Sequence, residues 1–146
     1  NFSFFGHILK SYNQLFSNYS FKCLDGLNRY DAAKLIQNSS GLIMTSHREG
    51  SPQSIKEALA CDIPVISSDV GDVSLLAKDL PGTYVFSKDE SPDNIAKQVH
   101  KCIAESQSTL GRRRSRIKEL GLSNDEVCLR LFGIYKVLLQ QKLKQS

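Results

Sequence analysis

The chain has 146 residues, of which 40% are hydrophobic and 23% are charged, and its formal net charge is +4. This composition is that of one globular domain, large enough to bury a core without disulfides or metals. The charge is too small and scattered for a nucleic-acid partner, and no apolar run approaches the ~18–20 residues that span a bilayer. We therefore expect a cytoplasmic protein, at most peripheral to the inner face of a membrane.

The first 40 residues predict two strands and two helices. A strand-like run, residues 1–6, ends in glycine, and residues 7–16 carry apolar side chains at helical spacing. Residues 19–24 alternate in hydrophobicity, which predicts a strand before the turn at Asp25 and Gly26. Asn28 is a suitable N-cap for a short helix that continues to Ile36.

The middle of the chain alternates between strands and helices. Apolar runs predict strands at residues 42–45, 63–67 and 83–86, and residues 73–77 predict a short helix. Ser51 is a natural N-cap, and Pro52 suits the first position of a second helix.

The C-terminal third is helical. Ser91 and Pro92 begin one helix, and a further helical stretch is broken near Gly111 and Gly121. Ser123 and Glu126 form a capping box before a last helix, whose apolar stripe we expect in the core: Val127, Leu131, Ile134, Tyr135 and Leu138. The basic run 112–116 predicts a solvated helix face, with electrostatic docking to anionic lipid as the alternative.

Strands that alternate with helices predict an α/β fold, a Rossmann-like parallel sheet with helices on both faces. In such a sheet the loops at the carboxyl ends of the strands line one edge, where ligands bind. Those loops are residues 24–28, 46–51 and 68–72. The middle loop carries Glu49 and leads into the helix that carries Glu57.

This loop and helix could hold an anionic, polyhydroxylated ligand. The free amides of Ser51, Gln53 and Ser54 at the helix start suit a phosphate, and a carboxylate can accept two hydrogen bonds from vicinal hydroxyls. The alternative is that Glu49 and Glu57 are solvated surface groups around an ordinary helix start, and spacing alone leaves both open.

Three residues or groups carry weaker expectations. His7 follows Gly6 and is either a surface or capping residue or a group that faces the crevice, and Arg48 is a candidate contact for a diphosphate. The cysteines, Cys23, Cys61, Cys102 and Cys128, are far apart with no metal-ligand spacing, which predicts buried reduced thiols.

The segment from Glu49 to Gly71 resembles the signature of the retaining, nucleotide-sugar-dependent glycosyltransferases of the GT-B fold, group 1 or family 4 type. The resemblance lies in the Glu-x7-Glu pair of Glu49 and Glu57, in the Pro64-Val65 strand, and in the glycine loop at Gly71. It covers roughly residues 19–103 in pattern.

The resemblance implies specific roles. Glu49 would hydrogen-bond the donor sugar as the catalytic-site carboxylate, and Glu57 would hold the ribose. The sugar and diphosphate would face the backbone of Gly50, Ser51, Pro52 and Gln53. The nucleotide base would lie near Leu24 and Gly26.

The resemblance also implies what is missing. Residues 1–146 would form a single Rossmann-like donor-binding domain, without its first strand and without the N-terminal acceptor domain. The Arg and Lys that usually neutralise the diphosphate are absent, Asp62 replaces a common glycine, and Leu75 replaces a frequent acidic residue.

The sequence therefore predicts the donor-binding portion of a hexosyltransferase in glycan or polysaccharide synthesis, inactive alone, with no metal or other cofactor. Two alternatives remain. One is a non-enzymatic or split-enzyme module that needs a partner chain, and the other is a fragment of a GT-B-fold nucleotide-sugar epimerase.

Overall fold

The structure is a computed structural model that describes residues 19–144, except for the side chains of Gln107 and Lys144. The strand predicted at residues 1–6, the helix predicted at residues 7–16 and His7 lie outside the described residues. The helices and strands are numbered here in chain order. They are α1 (Arg29–Gln37), β1 (Leu42–Met44), α2 (Gln53–Ala60), β2 (Val65–Ser68), α3 (Val73–Ala77), β3 (Thr83–Phe86), α4 (Pro92–Glu105), α5 (Arg112–Glu119) and α6 (Asn124–Lys144).

The three strands form one parallel sheet in the order β1-β2-β3. Because successive side chains of a strand point to opposite faces, β2 places Val65 in one core cluster and Ile66 in another. The first cluster contains side chains of α1, α2, α3 and α5, whereas the second is formed mainly with α4. The predicted α/β, Rossmann-like fold with helices on both faces is confirmed.

Most of the predicted helix starts are confirmed by their capping bonds. Asn28 accepts a hydrogen bond from the Asp31 N–H at 3.0 Å, and Ser91 accepts one from the Asn94 N–H at 3.2 Å. The Ser123 hydroxyl accepts a hydrogen bond from the Glu126 N–H at 3.4 Å, one of the two bonds of the predicted capping box, and donates to the Glu126 carboxylate at 2.6 Å. These side chains satisfy N–H groups that have no partner inside a helix.

The strand predicted at residues 19–24 is wrong. Tyr19 and Phe21 pack against the second core cluster, but Leu24 packs against the first. The segment lies beside β1 and lines a groove there, but it is not a strand of the sheet. The alternating pattern is real, but alternation makes a strand only where a neighbouring strand supplies hydrogen bonds.

The arginine run is not simply a solvated face, because Arg113 is fully buried. Its guanidinium donates to the carbonyls of Asp62 at 2.9 Å and Pro81 at 3.0 Å, and its Nε lies 3.6 Å from an Asp62 carboxylate oxygen. The Asp62 carboxylate also accepts the Arg113 and Arg114 N–H groups at the start of α5. Asp62 has a φ of +62°, the left-handed conformation that a glycine would adopt more easily. The carboxylate thus caps a distant helix, which a glycine could not do.

The apolar stripe of α6 is not in the core, so that prediction is wrong. Nine large apolar side chains between Leu129 and Leu143 are 47% to 77% exposed, and no α6 residue belongs to either cluster. The helices that supply side chains to the two clusters are α1 to α5. Among residues 19–144, no helix is long and apolar enough to cross a membrane.

The prediction of buried cysteines holds only for Cys102. Cys23 and Cys128 are exposed, and Cys61 is half-buried. Burial raises the pKa of the Cys102 thiol to about 11. Spacing along the chain indicates disulfides and metal sites but not burial, which depends on the faces of the elements that carry each cysteine.

We predict that Arg113→Ala lowers the free energy of unfolding by ~3 kcal/mol, since it leaves the Asp62 carboxylate and three backbone carbonyls without their buried partner. Urea denaturation checks this. The neighbouring Arg112 is exposed, so Arg112→Ala is the matched control and should change stability by no more than ~0.5 kcal/mol. Equal losses in the two variants would contradict the structural role of Arg113.

Candidate functional site

The loops that follow β1, β2 and β3 meet at the carboxyl edge of the sheet and enclose an open cavity. Its volume is about 600 Å³. Residues from all three loops line it: His47, Arg48, Glu49, Gly50, Asp69, Val70, Gly71 and Lys88. Parallel strands end at the same edge, so residues distant in sequence come together there. The structure thus brings three of the predicted site residues, Arg48, Glu49 and Gly50, to one cavity.

Three hydrogen bonds hold the β1 loop against the β2 loop. The Ser68 hydroxyl donates to the Ser46 carbonyl at 2.7 Å, and the Asp72 N–H donates to the Gly50 carbonyl at 3.2 Å. The Ser51 hydroxyl donates to the Asp72 carboxylate. Because these bonds lie on both sides of Glu49, they fix the backbone from which its side chain projects.

Gly71 makes this close approach of the two loops sterically allowed. Its φ is +55°, and a Cβ at this position would lie 2.1 Å from the Gly50 carbonyl oxygen. No side chain fits there. Gly50, by contrast, has open space where its own Cβ would be.

The cavity carries charges of both signs. Arg48 and Lys88 supply the cations, and Glu49 and Asp69 supply the carboxylates. Asp69 accepts a hydrogen bond from the Ser74 hydroxyl at 2.6 Å, whereas Arg48, Glu49 and Lys88 are exposed and form no hydrogen bond or ion pair with any other residue in the range 19–144. Their donors and acceptors are therefore available to a ligand.

Lys88 is the site residue that sequence reasoning missed. It follows β3 by two residues, so it lies at the same carboxyl edge as the other loops. The sequence did contain a signal for Lys88. The strand at residues 83–86 was predicted, and the loop after a parallel strand lies at the carboxyl edge of the sheet, where ligands bind. Lys88 provides a cation in a chain whose diphosphate-binding Arg and Lys were expected to be absent.

The start of α2 differs from its prediction by one residue. Pro52 occupies the N-cap, and the Ser51 hydroxyl is bound to Asp72 instead of capping the helix. Serine caps many helices, but here a carboxylate from the next loop competes for the same hydroxyl. The helix consequently begins at Gln53, whose exposed side chain lines neither of the two cavities described here.

A larger groove of about 1000 Å³ lies beside β1 and shares Glu49 with the smaller cavity. Leu24, the predicted neighbour of the base, lines this groove, and so does Ser54 of α2. Gly26 does not line the groove. Its φ of +75° is the left-handed conformation that a glycine adopts easily in a turn, and a turn was predicted at this position.

Glu57 is half-buried in the second turn of α2 and lines neither the cavity nor the groove. It lies three residues after Ser54, and residues at this spacing share one face of a helix. The described residues contain no cluster of three His, Cys, Asp or Glu side chains that could hold a metal ion. The roles of Glu49 and Glu57 stay predictions.

A family model described as glycosyl transferases group 1 matches residues 11–121. The match covers about three quarters of the chain and includes every loop that lines the cavity. No curated protein and no solved structure matches the chain.

The contact between the two loops predicts a graded series of glycine variants. Gly50→Ala should leave stability nearly unchanged, and Gly26→Ala should cost ~1 kcal/mol through its positive φ alone. Gly71→Ala should cost more than ~2 kcal/mol, because it adds a backbone clash to the same conformational strain. Chemical denaturation of the three variants measures the series, and equal losses for Gly26→Ala and Gly71→Ala would mean that the loops are not in close contact.

Proposed function

The chain belongs to the group 1 glycosyltransferases, and we propose that its carboxyl-edge cavity binds the nucleotide-sugar donor of a glycosyl transfer. The observation that carries this proposal is the convergence of Arg48, Glu49 and Lys88, all exposed and without partners among residues 19–144, around one cavity. A sugar diphosphate presents hydroxyl donors and anionic oxygens, which are the complements of a carboxylate and two cations.

Glu49 would bind the transferred sugar. Its carboxylate can accept two hydrogen bonds from neighbouring hydroxyls, and the loop bonds around it fix its backbone. A hexosyl group with several hydroxyls suits this role. A fixed acceptor of this kind contributes by orienting the sugar toward its acceptor.

Arg48 and Lys88 would bind the diphosphate from two different loops of the cavity. Both follow strands of the sheet, and neither is used in an internal ion pair of the described chain. In the transfer, negative charge builds on the departing diphosphate, and nearby cations and amides stabilise it. Transfer with retention and without a required metal follows from the family resemblance.

The nucleoside would extend from the cavity into the adjoining groove. Glu49 borders both spaces, and Leu24 lines the groove, which supports a base near Leu24 but not a contact with Gly26. Glu57 would reach the ribose from the helix face that it shares with Ser54. Its two carboxylate oxygens match the vicinal ribose hydroxyls.

We further propose that this chain is the C-terminal donor-binding half of a GT-B enzyme and does not transfer sugar alone. The exposed apolar side chains of α6 support a missing domain, because a surface of this kind is ordinarily covered. The same observation favours the second candidate, a split-enzyme module whose partner chain covers α6.

The cytoplasmic location and the peripheral membrane contact also stay proposals. The basic run 112–116 presents fewer cationic side chains to an anionic lipid surface than its sequence suggested. Arg113 is buried, and the Arg114 and Arg116 side chains donate to backbone carbonyls. Arg112 and Lys118 remain exposed on α5 for an anionic surface.

Calorimetric titration with UDP, GDP and ADP tests donor binding, and we expect at least one of them to bind. Glu57→Ala should then weaken that affinity about tenfold, the loss expected when a charged acceptor of two hydroxyls is removed. Glu119→Ala is the matched control, because this glutamate lies exposed on α5 and lines neither cavity. The absence of heat from all three nucleotides at millimolar concentration would refute the proposal.

The diphosphate role of Lys88 has a separate test. Lys88→Ala should weaken binding of the nucleoside diphosphate about tenfold and leave binding of the corresponding nucleoside unchanged, since only the former carries the charge that Lys88 neutralises. Lys97 is exposed on α4 and lines neither cavity, so Lys97→Ala is the control. A similar loss for both ligands would place Lys88 outside the diphosphate site.

A further inference from the structure

Lys88 lies in a tight turn that joins β3 to α4. The Glu90 N–H donates to the Ser87 carbonyl at 3.1 Å, and this bond closes the turn around Lys88. On the side toward β3, the Phe86 carbonyl accepts the Asp69 N–H at 2.9 Å. The turn therefore starts from a strand end that is bonded to the β2 loop of the cavity.

The far end of the turn is held by three side chains that bind one another. The Asn94 side-chain amide donates to Glu90 Oε1 at 2.8 Å and to the Tyr84 hydroxyl oxygen at 3.2 Å. The Tyr84 hydroxyl in turn donates to Glu90 Oε2 at 3.3 Å. Both carboxylate oxygens of Glu90 therefore have a partner, one on β3 and the other on α4.

The network is attached to the core and to the start of a helix. Tyr84 packs against the second core cluster, and the Ser91 hydroxyl caps α4 by accepting the Asn94 N–H at 3.2 Å. Desolvation raises the pKa of the Tyr84 hydroxyl, and the negative charge of Glu90 raises it further. The hydroxyl consequently keeps its proton at neutral pH and can donate it to the Glu90 carboxylate.

We propose that Glu90 is a positioning residue for the donor, which fixes, together with Tyr84 and Asn94, the turn from which Lys88 reaches the cavity. This inference rests on the proposed role of Lys88 at the diphosphate. None of the three network residues lines the cavity or the groove, so their effect on a ligand is transmitted through the turn. A charged side chain binds more tightly from a fixed backbone, because binding then has less freedom to remove.

Asp89 provides the matched control within the same turn. It is exposed, lines neither the cavity nor the groove, and forms no hydrogen bond or ion pair with another residue of the described range 19–144. Glu90→Ala and Asp89→Ala make the same change in net charge, and removal of a carboxylate near an anionic ligand favours binding by charge alone. A loss of affinity in Glu90→Ala only would therefore report the geometry of the turn.

Calorimetric titration with the tightest-binding of UDP, GDP and ADP tests the inference. Glu90→Ala should weaken binding about fivefold, less than Lys88→Ala does, because a displaced cation still attracts the ligand. Binding of the corresponding nucleoside should not change. Glu90→Gln should restore most of the affinity, since its amide can still bond Asn94 and Tyr84, and Asp89→Ala should not weaken binding.

A double-mutant cycle separates positioning from a general loss of structure. If Glu90 acts through Lys88, Glu90→Ala should cause no further loss of affinity in a chain that already carries Lys88→Ala. An additive loss in the double variant would overturn the inference. So would an equal loss of affinity for the nucleoside and for its diphosphate.

A measurement without ligand distinguishes this inference from the proposed function. Nuclear magnetic resonance relaxation of the Lys88 amide should show more nanosecond motion in Glu90→Ala than in Asp89→Ala. Equal motion in the two variants would overturn the inference even where nucleotides bind. The absence of binding by all three nucleotides would instead refute the donor site itself, whatever the motion at Lys88.

Discussion

The candidate site depends on one close contact, in which Gly71 lies against the carbonyl of Gly50. The loop after β2 can approach the loop after β1 only because position 71 has no side chain. That approach aligns the Asp72 N–H and carboxylate with Gly50 and Ser51. The position of Glu49 is therefore set by a neighbouring loop, and the two loops act as one rigid wall of the cavity.

A buried ion pair fixes the opposite end of the domain. Asp62 follows α2, the helix that starts beside the site, and its carboxylate accepts N–H groups at the start of α5. Arg113 then joins α5 to the loop before β3 through the Pro81 carbonyl. Burying a charge is costly unless it is paired and hydrogen-bonded, and the Arg113 guanidinium is paired with Asp62 and donates four hydrogen bonds. Asp62 and Arg113 together hold α2 and β3 in relative position, on which the geometry at the carboxyl edge depends.

The elements and the location of the site could be predicted from local patterns, whereas the long-range contacts could not. Periodicity and capping residues such as Asn28 and Ser91 are local, so the sheet, its helices and the loop with Glu49 were predicted correctly. Arg113 appeared solvated because its partners lie 32 and 51 residues away. Ser51 was expected to cap α2, but its hydroxyl binds Asp72, 21 residues later. A strand at residues 19–24 required a hydrogen-bonding neighbour that hydrophobicity alone does not specify.

The two apolar surfaces of the domain, the groove beside β1 and the exposed side of α6, differ in the kind of segment that can cover them. The groove at β1 presents peptide groups beside apolar side chains, so only an extended segment with its own free N–H and carbonyl groups satisfies it. The backbone N–H and carbonyl groups of α6 are hydrogen-bonded within the helix, so only its side chains need a partner. A helix or a sheet with a complementary apolar face could cover them. The groove therefore selects its occupant by backbone geometry as well as by apolar character, whereas α6 selects by apolar character alone.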